Sequence, residues 1–255
     1  METLQVDLKE RSYPIKFGAG NLKYLGEAMA ALQPIQQVKR VFVITNERVG
    51  SLYGDIVLES LKQAGFEPFY YQLPDGEEYK SLESADKLYT AAIENGLDRQ
   101  SAVVALGGGV AGDLAGFVAA TYLRGVFLIQ VPTTLLAQVD SSVGGKVAVN
   151  HPLGKNMIGS FYQPQLVFID VRVLNTLDLR EVRAGLAEAI KYGVIRDGDL
   201  FSYLEEHLEQ ILALEQDALS YVIQKSCAIK AAIVAEDERE NGESRGRIRG
   251  TGAAV

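Results

Sequence analysis

The sequence has 255 residues, a formal net charge of −8 and 47% hydrophobic residues, which is enough apolar content for a sizeable core. The acidic balance argues against nucleic acid or an anionic membrane surface as a partner, although local lysines could still hold a phosphate. Cys227 is the single cysteine, which excludes a disulfide framework within these residues. Because no stretch reads as a signal core and no apolar run approaches membrane-spanning length, we expect a cytoplasmic protein.

The first two thirds of the chain alternate between apolar strands and amphipathic helices. Strands are predicted at residues 3–8, 13–17, 40–45, 66–73, 101–106, 126–131 and 166–171, and helices at 22–32, 55–64, 82–93 and 110–120. This alternation predicts an α/β fold with a mostly parallel sheet covered on both faces. Ligands of such sheets collect at the carboxyl ends of the strands, where Asn46 follows a buried run. We place this domain at residues 1–177.

A glycine turn follows the buried strand at 101–106. Gly107, Gly108 and Gly109 separate that strand from a helix rich in small residues, and backbone N–H groups at such a helix start favour an anion. Asp113 stands one turn into the helix, so it must do something other than bind phosphate. The alternative is a tight turn in an ordinary α/β domain, because glycine motifs alone have real false-positive rates.

Two loops carry charged side chains. Residues 74–80, PDGEEYK, are either a solvated loop or an acidic loop that holds ribose hydroxyls. Residues 135–156 are predicted to be a long functional loop, in which lysines beside glycines can reach a phosphate or carboxylate. His151 lies in this second loop beside Pro152, where a hydrogen-bonding or surface role is favoured over metal binding.

After residue 175 the pattern becomes wholly helical, with helices predicted at 179–194, 199–214 and 217–235. Glu188 and Lys191 share one face of the first, either as a surface ion pair or as a metal ligand and a substrate cation. Lys230 falls on the apolar stripe of the third, which predicts that its ammonium reaches a cleft or an anion. His207 lies on a wet face, and Cys227 is expected to be a small buried residue. We place a helical domain at 178–240 and a disordered tail at 241–255.

Six motifs together resemble the 3-dehydroquinate synthase family of sugar phosphate cyclases. They are DGEEYK at 75–80, GGGVAGDLAGFVA at 107–119, TYLRG at 121–125, VPTTLLAQVDSSVGGKVAVNHPLGKNMIG at 131–159, RAGLAEAIKYG at 183–193 and KAAIVAEDERE at 230–240. The resemblance implies conversion of 3-deoxy-arabino-heptulosonate 7-phosphate to 3-dehydroquinate and phosphate, in the shikimate pathway of aromatic amino acid biosynthesis. It implies NAD that is oxidant and then reductant in each turnover, a catalytic zinc or cobalt, and a homodimer.

The resemblance also implies a role for each matching residue. The cofactor-binding residues would be Asp75, Gly76, Glu77, Glu78, Tyr79 and Lys80 on the adenosine side of NAD, Gly109, Val110, Ala111, Gly112 and Asp113 at its pyrophosphate and nicotinamide end, and Thr133, Thr134, Lys146, Lys155 and Thr176. The substrate would be oriented by Asp140, Lys146, Asn156, Lys191 and Lys230. Arg124 would reach across a dimer interface toward the substrate phosphate, and Glu188 would be a metal ligand.

The match stops after Asn241 and Gly242. The family continues with histidine-bearing helices that supply the other metal ligands, whereas residues 243–255 read ESRGRIRGTGAAV. We therefore expect a C-terminally truncated chain with an altered tail, which binds NAD weakly at best and does not turn over. The alternatives are a related sugar phosphate cyclase, a metal-dependent polyol dehydrogenase on a related fold, and a non-catalytic NAD-binding or dimerising fragment.

Overall fold

The computed structural model describes residues 1–238, and a seven-stranded sheet forms its centre. The strands within residues 1–238 are β1 Glu2–Val6, β2 Tyr13–Gly18, β3 Arg40–Asn46, β4 Glu67–Leu73, β5 Ala102–Gly107, β6 Phe127–Pro132, β7 Lys146–His151, β8 Gly154–Phe161 and β9 Leu166–Asp170. Strands β7 and β8 pair only with each other, and the other seven form the central sheet. The strand order is β1-β2-β9-β6-β5-β3-β4, and the pairs are parallel except β1 with β2. The predicted α/β class with a mostly parallel sheet is confirmed.

Helices cover both faces of this sheet. Within residues 1–238 they are α1 Leu25–Ala30, α2 Glu47–Val49, α3 Asp55–Gln63, α4 Leu82–Glu94, α5 Gly109–Thr121, α6 Leu179–Arg196, α7 Gly198–Glu206, α8 Leu208–Leu212 and α9 Gln216–Glu236. Val104 and Leu106 of β5 join the core on the side of α1, α3 and α9, whereas Val103 and Ala105 join the core on the side of α4 and α5. Burial on both sides explains why β5 is apolar throughout.

The strand order reverses between β3 and β5. From β3 the chain moves outward to β4, and it then returns to place β5 on the opposite side of β3. Connections therefore leave these two neighbouring strands in opposite directions and open a crevice at their carboxyl ends. Open α/β sheets bind their ligands at such a reversal.

Two sequence predictions need correction. The stretch 135–156 is not a long loop, because it contains a π-helical turn at Ala137–Ser141 and most of an antiparallel hairpin of β7 and β8. Strand β8, GKNMIGSF, has no buried residue, so it lacks the apolar run that would have revealed it. The helix predicted at 199–214 is interrupted at His207, whose ring stacks on Tyr203. The predicted tail at 241–255 lies outside the described residues.

Helix α9 is also an exception to the expectation about membrane spans. By length and composition it is one described helix that could cross a membrane, with a mean hydropathy of 1.3 over 18 residues. However, its Leu219, Val222 and Ile223 are fully buried against the rest of the protein. We therefore interpret α9 as a core helix.

Candidate functional site

The glycine turn lies at the carboxyl end of β5, beside the crevice. A Cβ atom on Gly107 would stand 2.6 Å from the Ala111 Cβ, and one on Gly108 would stand 2.8 Å from Thr134 Cγ2. Around Gly109 the nearest atom to such a Cβ is Ser141 Oγ at 3.6 Å, so the first residue of α5 is approachable. The turn therefore presents the first N–H groups of a 13-residue helix, which suit an anion.

Thr133 and Thr134 follow β6 next to this turn. The Thr133 N–H donates to the Gly107 carbonyl at 2.9 Å, while its Oγ1 is buried and has no partner among the described residues. Thr134 Oγ1 accepts from the Ala137 N–H at 3.2 Å and starts the next helical segment. A buried hydroxyl without a partner fits a ligand that brings its own donor or acceptor.

The acidic loop at 75–80 is tied to the end of β3. Asn46 Nδ2 donates to Asp75 Oδ1 at 2.8 Å, and Asn46 Oδ1 accepts from the Val49 N–H at 2.8 Å. Thr176 shares a hydrogen bond with the Tyr53 hydroxyl at 2.7 Å, in the segment that follows β3. The loop and the segment around Thr176 are therefore both attached to the region that follows β3, at the crevice.

A first charged cluster joins the acidic loop, α5 and the hairpin. Lys80 is only 4% exposed, and its ammonium pairs with the Asp113 carboxylate and donates to Asn156 Oδ1 at 2.6 Å. Burial raises the pKa of Asp113, and the Lys80 ammonium opposes this rise. The structure thus gives Asp113 a task other than phosphate binding, as its position in the helix predicted.

A second charged cluster surrounds Asp140 on the π-helical turn. Asp140 Oδ1 accepts from the Tyr192 hydroxyl at 2.5 Å and from Lys230 Nζ at 2.7 Å. Burial alone would raise the pKa of Asp140, but the Lys230 ammonium and the Tyr192 hydroxyl outweigh it and hold this pKa below its ordinary value. The two clusters are neighbours, because α5, which carries Asp113, packs against the π-helical turn that carries Asp140. The Asp140 charge accordingly contributes to the raised pKa of Asp113.

Glu188 and Lys191 form an ion pair on α6 at a spacing of three residues. No group of three or more histidine, cysteine or acidic side chains lies close enough together to hold a metal within residues 1–238. His151 is exposed and accepts from the Leu153 N–H at 3.2 Å, whereas His207 stacks on Tyr203. The described residues therefore do not form a complete metal site.

Three other predicted residues lie toward the edge of this arrangement. Lys155 is exposed, with its Nζ 4.0 Å from Glu77 Oε1, and Lys146 begins β7 on the exposed side. Arg124 follows the far end of α5, about 20 Å from its first residue at 1.5 Å per residue. A single chain thus does not bring Arg124 together with the two clusters.

Sequence reasoning missed two polar side chains that support the site. Tyr192 is the donor to Asp140, and Asn150 accepts from the Asn156 N–H at 2.9 Å while donating to Glu77 Oε1 at 2.9 Å. Both lie inside the matched motifs: Tyr192 is the tyrosine of AEAIKYG, and Asn150 is the first asparagine of AVNHPLGKN. The sequence analysis selected charged residues near them, such as Lys191 and Lys155, because charge is the stronger signal of a binding role.

Comparison with known proteins decides the family. A family model described as 3-dehydroquinate synthase N-terminal matches residues 70–184, and one described as 3-dehydroquinate synthase C-terminal matches 185–246. The 3-dehydroquinate synthase of Desulforamulus reducens is 57% identical over 242 residues, which are 95% of this chain and 67% of the relative. The chain belongs to the 3-dehydroquinate synthase family. The 3-dehydroquinate synthase of Pelotomaculum thermopropionicum is also 57% identical, over 95% of this chain and 64% of the relative.

Solved structures place this 3-dehydroquinate synthase family member among the sugar phosphate cyclases. The crystal structure of 2-deoxy-scyllo-inosose synthase complexed with carbaglucose-6-phosphate, NAD+ and Co2+ superposes with a TM-score of 0.85 at 31% identity. That match covers 94% of this chain and 65% of the other. The chain spans about two thirds of the length of the curated relatives it matches.

Proposed function

We propose that this chain forms the NAD site and one side of the substrate site of a 3-dehydroquinate synthase. The reaction is the conversion of 3-deoxy-arabino-heptulosonate 7-phosphate to 3-dehydroquinate and phosphate, a step of aromatic amino acid biosynthesis. The observation that carries this proposal is the meeting, at the crevice between β3 and β5, of a bare glycine turn and two neighbouring charged clusters. Membership of the family then selects this reaction among those of sugar phosphate cyclases.

The residues at the glycine turn fit NAD. The N–H groups of Gly109, Val110 and Ala111 would receive the pyrophosphate, because the Gly112 N–H already donates to the Gly108 carbonyl at 2.9 Å. The Thr133 hydroxyl, which has no partner among residues 1–238, offers the ligand a hydrogen bond. The loop from Asp75 to Tyr79 would hold the adenosine side, near the end of β3. Lys80, at the end of this loop, instead faces Asp113 and Asn156. When bound, NAD supplies a hydride acceptor that can later return the hydride.

The Asp140 cluster suits a substrate that carries hydroxyls and a carboxylate. The lowered pKa keeps Asp140 ionised near neutral pH, so it is ready to accept hydrogen bonds from hydroxyl groups. Lys230 and Lys191 supply positive charge that balances a carboxylate or phosphate, while Asn156 supplies amide hydrogens. These groups act by orientation and charge balance.

A catalytic metal needs more ligands than the described residues provide. A zinc site with an open position uses about three protein ligands, and we propose Glu188 as one of them. In the structure the Glu188 carboxylate forms an ion pair with the Lys191 ammonium. We propose that this chain alone does not turn over.

We also propose a homodimer in which Arg124 serves the partner's site. Leu123 and Arg124 both have positive φ values, 49° and 70°, in the turn after α5. Arg124 is exposed and makes no hydrogen bond or ion pair with another described residue. A strained turn that presents an unpaired guanidinium suits recognition of a phosphate outside its own subunit.

The domain division at 177/178 and the cytoplasmic location remain predictions.

Titration with NADH tests this proposal. The protein has no tryptophan, so binding is followed by the enhancement of NADH fluorescence and by calorimetry. We expect Thr133→Val to weaken binding about threefold to tenfold, because it removes a buried hydroxyl partner. Thr90→Val on the exposed face of α4 is the matched control and should bind like the wild type. Absence of NADH binding, or phosphate release from the 7-phosphate by this chain with added zinc or cobalt, would contradict the account.

A further inference from the structure

Two hydrogen bonds and a left-handed backbone fix Asn156 at its place in the hairpin. It adopts a left-handed backbone with φ 57°, and its N–H donates to Asn150 Oδ1 at 2.9 Å. Its side-chain Oδ1 accepts from Lys80 Nζ at 2.6 Å. The amide nevertheless lies on an exposed part of the surface, and none of the described residues accepts a hydrogen bond from Nδ2.

The partner of Asn156 determines which way its amide faces. An ammonium group has donors and no acceptor, so only the amide oxygen can face Lys80. Lys80 is buried and paired with Asp113 on its other side. Turning away would leave a buried charge with fewer partners, which is costly. The two hydrogens of Asn156 Nδ2 must therefore point away from Lys80.

We propose that Lys80 is a positioning residue, which fixes the Asn156 amide as a hydrogen-bond donor toward the substrate. The site thereby selects a substrate with an acceptor oxygen at this point, a carboxylate or a hydroxyl used as acceptor. Asn150 accepts from the Asn156 N–H and donates to Glu77, so the hydrogen bonds that hold Asn156 extend to the acidic loop. This inference rests on the proposed function for the identity of the ligand, but the orientation of the amide can be tested without it.

The first test compares the melting temperature of Asn156→Asp in two backgrounds. In the wild type the new carboxylate meets the Lys80 ammonium, so we expect an unchanged or higher melting temperature. In Lys80→Met it meets Asp113 without a cation, so we expect a fall of about 3 °C or more. If Lys80→Met does not fold, Lys80→Gln replaces it, because its amide can still donate to Asp113 but carries no positive charge to balance a second carboxylate. Equal shifts in both backgrounds would overturn the inference.

A matched lysine controls for the loss of charge. Lys87 pairs with Glu83 on the surface of α4, and both side chains are exposed. Lys87→Met removes the same charge and the same donor as Lys80→Met, away from Asn156. The effect of Asn156→Asp in this background should equal its effect in the wild type. A reversal of sign in Lys87→Met as well would show that long-range charge, and not the contact with Lys80, is responsible.

The second test measures the affinity for 3-deoxy-arabino-heptulosonate 7-phosphate by calorimetry in the presence of NAD. Lys80→Met should weaken this affinity about tenfold or more, and Lys80→Arg should restore most of it, because Arg again presents donors. In an Asn156→Ala background the loss caused by Lys80→Met should shrink to about twofold or less. An equal loss in both backgrounds would show that Lys80 touches the ligand directly, and the inference would be wrong.

The two proposals fail in different ways. A wild-type chain that binds neither NAD nor the sugar acid contradicts the proposed function, and the melting-temperature comparison then still decides how the amide faces. A chain that binds both ligands, but in which Asn156→Asp behaves alike with and without Lys80, keeps the proposed function and loses the positioning role.

Discussion

At the scale of single residues, the strongest pH effect is expected from Asp140. Its pKa is held below the ordinary value of about 3.9 by Lys230 and Tyr192, so its stabilising effect is full above about pH 4 and is lost as the pH falls further. We expect Asp140→Asn to lower the free energy of unfolding at pH 7 by about 1–3 kcal/mol. Urea unfolding from pH 3 to 7 should show this difference shrinking in acid, whereas a difference independent of pH would contradict the pairing.

The Tyr192 hydroxyl is the second residue-scale test. Tyr192 is buried and donates to Asp140, so Tyr192→Phe keeps the ring and removes one donor. We expect a loss of about 1–2 kcal/mol in the free energy of unfolding and a shift of the acid transition to higher pH. Tyr24→Phe, at an exposed ring, is the control. If both variants unfold alike at every pH, Tyr192 does not hold Asp140 in solution.

At the scale of elements, buried apolar runs made β3, β5, β6 and β9 predictable, because both faces of the sheet are covered. The hairpin was missed because β8 buries none of its residues, and its glycines and polar side chains read as loop. Within the site, the position of Lys230 on an apolar stripe predicted an anionic partner, and its contact with Asp140 confirms that geometry. Its partner and Tyr192 come from distant segments, and their meeting depends on tertiary packing.

Close packing of α5 on the hairpin gives an element-scale prediction. A Cβ on Gly116 would stand 2.3 Å from Val147 Cγ1, so Gly116→Ala must push β7 away. We expect a loss of about 1–3 kcal/mol in the free energy of unfolding, together with weaker ligand binding because β7 and β8 carry Lys146 and Asn156. Gly54→Ala is the control, since its helical φ of −57° and open surroundings accept a methyl group. Equal stability of the two variants would refute this packing.

At the scale of the whole molecule, Glu238, two residues after the end of α9, connects the turn between β1 and β2 with the turn after Asp140. Glu238 pairs with Arg11 through two contacts of 2.6 Å, and Gln163 Nε2 donates to Glu238 Oε1 at 2.9 Å and to the Gly144 carbonyl at 3.2 Å. Since α9 carries Lys230, this fastening helps set the distance between Lys230 and Asp140.

Two variants test this fastening. Glu238→Ala should destabilise the protein by about 1–3 kcal/mol, because it removes the partner of both Arg11 and Gln163. Arg11→Ala should cost less than about 1 kcal/mol, because Arg11 is largely exposed and Glu238 keeps its contact with Gln163. Chemical unfolding measures both values. A larger loss for Arg11→Ala than for Glu238→Ala would contradict the order.

The central claim is that a dinucleotide lies over the turn at Gly107–Gly109, with the two charged clusters on either side of its reactive end. A crystal structure of this chain with NAD tests that claim most directly. We predict pyrophosphate oxygens within hydrogen-bond distance of the N–H groups at the start of α5, adenosine toward Asp75, and the nicotinamide toward Asp113. Pyrophosphate bound at any other part of the sheet, with the start of α5 left to solvent, would contradict the account.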